Sequence, residues 1–150
     1  KGMKNIDYTT GDLISPWADV KMDVHDIPFE ENSFDVVICN HVLEHVDDSN
    51  KVMREFYRVM KPGGWWIFQV PTDNNNPNTI EDKSVTDPKD RERLYWQSDH
   101  LRLFGRDYGD RLSKAGFKVT ESDYINEIDP KLVERYALPK NEKVYFCEKI

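Results

Sequence analysis

Residues 34–70 read FDVVICNHVLEHVDDSNKVMREFYRVMKPGGWWIFQV, two apolar runs joined by a segment of helical periodicity. The first run, Phe34-Asp35-Val36-Val37-Ile38-Cys39, has the near-continuous apolar character of a parallel strand covered on both faces. Asp47, Asp48 and Ser49 follow as N-cap candidates. Val52, Met53, Phe56, Val59 and Met60 then fall on one stripe at helical spacing, which predicts a helix with that stripe in the core. Lys61 suits the C-terminal end of the helix dipole, and Pro62-Gly63-Gly64 stops the helix, with glycine supplying a left-handed cap. Residues 65–70 read as the next buried strand, ending before Pro71, and Trp65 and Trp66 must point to opposite faces of it.

Working outward, residues 6–10 read as a strand closed by Gly11-Asp12, and residues 19–24 alternate as a half-buried strand does. Residues 72–93 are polar and aperiodic and are expected to form a long surface loop or lid. Tyr108, Leu112 and Ala115 share a helix face closed by Gly116, residues 117–120 resume a strand pattern, and residues 143–150 are a last strand candidate. This order predicts a single α/β domain with a mainly parallel sheet and right-handed crossovers. Ligands of such sheets bind at the carboxyl ends of the strands, which directs attention to Asp12, Asp23 to Asp26, Asn40-His41 and Pro71-Thr72.

At 150 residues the chain can bury one ordinary core. Its formal net charge of -7 and lack of clustered Lys and Arg argue against a nucleic-acid surface and favour a small-molecule or protein partner. Cys39 and Cys147 each lie in an apolar run, as buried free thiols do in a reducing compartment, so a cytoplasmic protein is expected. No apolar run approaches the roughly 18 residues of a membrane span.

Four further segments stand in order: Asp26-Ile27-Pro28-Phe29, Asn32-Ser33-Phe34-Asp35-Val36-Val37, Val42-Leu43-Glu44-His45-Val46, and Arg58-Val59-Met60-Lys61-Pro62-Gly63-Gly64. Together they resemble the class I S-adenosylmethionine-dependent methyltransferases of the type 11 kind. A fainter echo follows in His100-Leu101-Arg102-Leu103-Phe104 and Ala115-Gly116-Phe117. The resemblance implies a Rossmann-like sheet, S-adenosylmethionine as cofactor and a small-molecule methyl acceptor. By position it implies that Asp12 accepts hydrogen bonds from the cofactor ribose and that Asp23 and Val24 meet the adenine. It also sets Asn40 and His41 beside the methionine portion and the reacting methyl, with His41 and His100 as candidate bases.

Each residue has a plainer reading: acidic residues often end strands, and histidines beside apolar helices are often structural. His41-Val42-Leu43-Glu44-His45 also satisfies the H-x-x-E-H pattern of inverted zinc peptidases, in which a helix would place His41 and His45 on one face. No third ligand is apparent in the sequence, so no metal is expected.

The resemblance also calls for a Gly-x-Gly loop where backbone approaches the cofactor closely. None occurs, since glycine stands only at positions 2, 11, 63, 64, 105, 109 and 116. A βαβ unit needs about 30 residues, and too few precede Ile6, so the chain is expected to be a class I domain truncated at its N-terminus. The missing strand would lie between those ending at Asp12 and Asn40. Either these pair directly, or another chain supplies the strand, or the first segment changes place; direct pairing or homodimerisation is the favoured expectation. Cofactor affinity should then be poor unless a second chain completes the site. A methyltransferase and a noncatalytic methyltransferase-like binding or dimerisation module are the two functions to separate.

Overall fold

The computed structural model of the chain describes residues 5–139 and 142–150. Near the N-terminus, pairing is confined to Gly11–Asp12 (β1) and Val20–Lys21 (β2), a short parallel ribbon. The longer strands expected over 6–10 and 19–24 do not form. Thr10 turns onto Asp19 instead, its N–H and hydroxyl both donating to Oδ2 at 3.0 and 2.7 Å. Asp12 Oδ1 then accepts the N–H groups of Ile14 and Ser15, which folds the chain away directly after β1.

Phe34–Asn40 (β3), Ser49–Val59 (α1) and Met60–Gln69 (β4) form the strand-helix-strand unit that the apolar pattern predicts, with β3 and β4 parallel. Asp48 is the N-cap: its Oδ1 accepts the Lys51 N–H at 2.9 Å. Val52, Met53, Phe56 and Val59 are buried as the stripe requires, and Phe56 meets Trp66 edge-on, ring centroids 4.0 Å apart.

The helix ends earlier than expected, because Met60 is already extended. Gly63, at φ +77°, lies inside β4, in the irregularity that shifts the register between Phe34 and Val36. The glycine pair therefore shapes a bulged strand rather than capping α1. Lys149, not Lys61, takes the helix-end carbonyls: its Nζ donates to Tyr57 O at 2.9 Å and Met60 O at 2.8 Å, while Lys61 pairs with Asp35.

Downstream come Pro88–Tyr95 (α2), Tyr108–Lys114 (α3), Lys118–Ser122 (β5), a 3-10 turn at Tyr124–Glu127, Pro130–Arg135 (α4) and Val144–Glu148 (β6). The four-stranded sheet has the order β3-β4-β6-β5, and β6 runs antiparallel to both neighbours. The α/β fold stands, but the sheet is mixed rather than mainly parallel: among the described strands β1–β2 and β3–β4 pair parallel, and β6 pairs antiparallel.

The segment read as a loop over 72–93 contains the start of α2, where Asp87 caps the Lys89 N–H and Pro88 occupies the first turn. Its earlier part is clasped to residues 103–104 by the Ile80–Leu103 and Thr72–Phe104 bridges. Residues 123–141 carry no clear apolar periodicity. They hold the 3-10 turn and α4, with Lys140 and Asn141 outside the described residues. The cysteines are free and buried, and burial pushes both thiols up to about 12.

Among the described residues β3 pairs with β4 alone. Val36 and Ile38 are exposed, Ile38 at 66%, so the run expected to be covered on both faces is covered on one. Direct pairing between the strands ending at Asp12 and Asn40 does not occur, and β1–β2 is a separate ribbon. The chain after β2 is drawn toward α1 instead: Arg58 donates to Ile27 O and Phe29 O, Glu55 accepts the Ile27 N–H, and Met22, Val24 and Phe29 pack on the core.

The turn after β3 is held from within by Arg102, which is 1% exposed. Its Nη1 donates to Leu43 O at 2.5 Å and Val46 O at 2.6 Å, and its Nη2 to Asp47 O at 3.1 Å and Glu81 Oε1 at 2.9 Å. The Leu101 N–H adds a bond to Glu44 O. Arg102→Met would orphan these carbonyls, each at a cost of about 1–3 kcal/mol. Urea unfolding should therefore show a loss of at least about 3 kcal/mol with an unchanged m-value, and Arg102→Lys should fall in between, because an ammonium cannot reproduce the planar fork.

Asp48→Ala should cost about 1 kcal/mol and Asp48→Asn very little, since asparagine caps as well. The Lys51 N–H holds the Asp48 carboxyl below its ordinary value. Its contribution is therefore present above the usual carboxylate range and is lost as pH falls through the lowered pKa. Stability measured from pH 6 down to about 2 should fall less steeply in Asp48→Asn than in the parent.

Candidate active site

Asp12 and Asp23 stand at the carboxyl ends of the neighbouring parallel strands β1 and β2. Asp12 is exposed, and the N–H groups of Ser15 and Ile14 on its Oδ1 hold its carboxyl below the ordinary value. It is therefore ionised at neutral pH, and both of these bonds fall on Oδ1. Asp23 is built in a similar way: the His25 N–H and the His25 ring both bond its Oδ1, at 2.9 and 2.7 Å, and lower its pKa. The Asp48 N–H donates to His25 Nε2 at 3.4 Å, so His25 Nδ1 carries the proton toward Asp23. A short relay, Asp23–His25–Asp48, thus fastens the end of β2 to the start of α1. Val24 is partly buried against the core.

Asn40 and His41 close β3. Asn40 is exposed, and the His41 N–H extends the ladder to Gln69 O at 2.8 Å. His41 then adopts φ +55°, a left-handed conformation that ends the strand sharply and leaves its side chain 60% exposed. The helix on which the H-x-x-E-H reading depended is absent: residues 41–47 are turn and bend. His41 does not share a helix face with His45. Its Nδ1 meets Glu44 Oε1 at 3.2 Å.

His100 is 4% exposed, and its Nδ1 lies 2.8 Å from Tyr95 O. A carbonyl only accepts, so Nδ1 carries a proton. Its ring packs edge-on against His45, centroids 4.8 Å apart, and Glu44, His45 and His100 each offer a ligand atom within 4.8 Å of the others. The structure thus gathers His41, Glu44, His45 and His100 into one cluster and sets Asp12, Asp23 and Val24 on the separate β1–β2 ribbon.

Glu44, His45 and Arg102 were not singled out as site residues from the sequence. The signal for Arg102 was its position in Leu101-Arg102-Leu103-Phe104, where an arginine among apolar residues has to be paired inside the core. Tyr95, just after residues 72–93, is buried and bonds Asp82, whereas Trp96 and, further along the chain, Tyr124 are exposed. A polar cleft of about 530 Å³ lies between Asp47, Glu81, Lys83 and Arg111, and none of the residues proposed from the sequence lines it.

Residues 7–68 match the family model described as a methyltransferase domain. A ubiquinone biosynthesis O-methyltransferase of Bordetella avium is 39% identical over 67 residues, which cover 41% of this chain and 27% of that enzyme. The matched stretch is thus about a quarter of that relative's length. Among solved structures, a 1,6-didemethyltoxoflavin-N1-methyltransferase of Burkholderia thailandensis, determined with 1,6-didemethyltoxoflavin and S-adenosylhomocysteine bound, aligns over 93% of this chain and 59% of its own. Its TM-score is 0.60 and its sequence identity 15%. An S-adenosylmethionine-dependent methyltransferase of Mesorhizobium loti aligns over 85% and 68%, with TM-score 0.54 and 17% identity. Residues 7–68 are thus similar in sequence to a methyltransferase domain, and the chain shares its fold with solved S-adenosylmethionine-dependent methyltransferases.

Proposed function

We propose that this chain takes part in S-adenosylmethionine-dependent methyl transfer to a small-molecule acceptor. The observation that carries the reading is the placement of ionised Asp12 and Asp23 at adjacent strand ends, with Asn40 and His41 closing the parallel strand β3. Carboxylates held in the charged form accept hydrogen bonds from ribose hydroxyls and an exocyclic amine, which suits Asp12 and Asp23 to those two groups and the Val24 backbone to the adenine ring. When bound, S-adenosylmethionine supplies a methyl on sulfonium sulfur, which an acceptor lone pair attacks in line as the carbon–sulfur bond breaks.

The chain's part is to hold the two reactants at attack distance and to remove the acceptor's proton where it has one. His41, the exposed member of the histidine pair, is suited to take that proton. His100 is buried, with Nδ1 engaged by Tyr95, and presents Nε2.

A second reading, a noncatalytic binding or dimerisation module, is favoured by the apolar side chains left uncovered beside the open β3 edge and on the N-terminal segment. These include Leu13, Ile14, Trp17 and Ile38, with Trp17 91% exposed.

Isothermal titration with S-adenosylmethionine and S-adenosylhomocysteine, with the oligomeric state measured alongside, separates the two. The methyltransferase reading predicts saturable binding weakened about 10- to 100-fold by Asp12→Asn or Asp23→Asn, the loss expected for a hydrogen bond to a charged group. Self-association with no cofactor binding at about millimolar concentration, an affinity near -4 kcal/mol, would replace it with the module.

A further inference from the structure

We propose that Glu44, His45 and His100 form a site for a divalent first-row transition-metal ion, zinc above all. The inference stands on the geometry of the cluster and does not depend on methyl transfer. The three side chains come from two segments, the turn after β3 and the chain after α2, and the backbone pins these together: the Leu101 N–H donates to Glu44 O, and Arg102 donates to Leu43 O and Val46 O. One ligand atom from each residue lies within 4.8 Å of the others. Ligands about 2.1 Å from an ion lie roughly 3–4 Å apart, so an inward movement of about 1 Å closes the set.

Three further features point to a cation. First, Glu44 is 1% exposed, and its Oε2 is buried without a hydrogen-bond partner among the described residues. A buried carboxylate oxygen with no donor is costly, and the terminal nitrogens of the buried Arg102 are engaged by backbone carbonyls and Glu81. Second, His100 Nδ1 donates to Tyr95 O, which makes Nε2 the ring nitrogen to offer a metal. Third, His45 Nδ1 lies 3.3 Å from Asp99 Oδ2. A carbonyl or carboxylate behind the inner nitrogen is the support that metal-binding histidines ordinarily have.

Two imidazoles and one carboxylate suit zinc, and leave further coordination positions for water or an oxygen donor. The cluster grades from buried Glu44 and His100 to half-buried His45 and exposed His41. Such an ion is therefore approachable from the His41 side, next to the end of β3. His41, in contact with Glu44 Oε1, can complete the set or orient the carboxylate.

The test uses the whole chain stripped of metal with a chelator and titrated with Zn²⁺ by calorimetry and with Co²⁺ by absorption. One equivalent of each should bind, Co²⁺ giving visible d–d bands, and Zn²⁺ should raise the thermal midpoint. Glu44→Gln and His45→Ala should each weaken binding at least about tenfold, the lower bound for loss of a supporting or direct ligand. Failure of the parent chain to bind Zn²⁺ or Co²⁺ with a stoichiometry of one would overturn the proposal. So would binding that survives in the Glu44→Gln, His45→Ala double variant. Should the variants misfold, the parent's Co²⁺ spectrum and midpoint shift decide, and absence of both counts against the site.

Discussion

The guanidinium of Arg102 is the interaction on which the site most depends. Burying an arginine is favourable where its donors are met, and here four acceptors meet the two terminal nitrogens, three of them carbonyls of a turn with no regular structure of its own, while Nε has no partner among the described residues. Residues 43–47 follow a strand that ends abruptly at a left-handed His41 and precede a helix that starts at Asp48. Without Arg102 the buried carbonyl of Leu43 and the part-buried carbonyls of Val46 and Asp47 would lose these donors. Arg102 resolves this and also fixes where the segment after α2 lies, which brings His100 to Glu44 and His45.

A second constraint governs the opposite part of the domain. Asp12, Asp19, Asp23 and Asp48 each accept local backbone N–H groups, and the chain between Thr10 and Ser49 is shaped more by these carboxylates than by strand pairing. The same local bonds that shorten β1 and β2 keep Asp12 and Asp23 ionised at the strand ends. The turn chemistry and the ligand chemistry thus draw on the same groups, and hydrogen bonds to one carboxylate oxygen are compatible with a ligand on the other.

Much of the fold was legible because burial and periodicity coincide. The 34–70 unit, α3, β5 and β6 all follow from apolar spacing, since each buries one stripe or face. The misreadings lie where side chains compete with the backbone. Thr10 bonding Asp19 cut short a strand that β-branched composition favours, and Asp87-Pro88 started a helix inside a polar stretch with no apolar stripe to announce it. Gly63-Gly64 looked like a helix cap because glycine tolerates φ > 0 in a cap and in a bulge alike, and only the register with β3 tells them apart. Of the site, the strand-end residues could be placed from element order. The Glu44–His45–His100 convergence could not, because it joins residues more than 50 positions apart through a buried arginine.

On the proposed function, the strand ends at Asp12, Asp23 and Asn40 act together on one adenosyl ligand. The most direct measurement is a backbone-amide NMR titration of the isotopically labelled chain with S-adenosylhomocysteine. The account predicts saturating shifts at the amides of Ile14 and Ser15, which bond Asp12, at Val24 and His25, and at His41, all with one dissociation constant. Shifts confined to other segments, or separate constants for the ribbon and the β3 end, would contradict it.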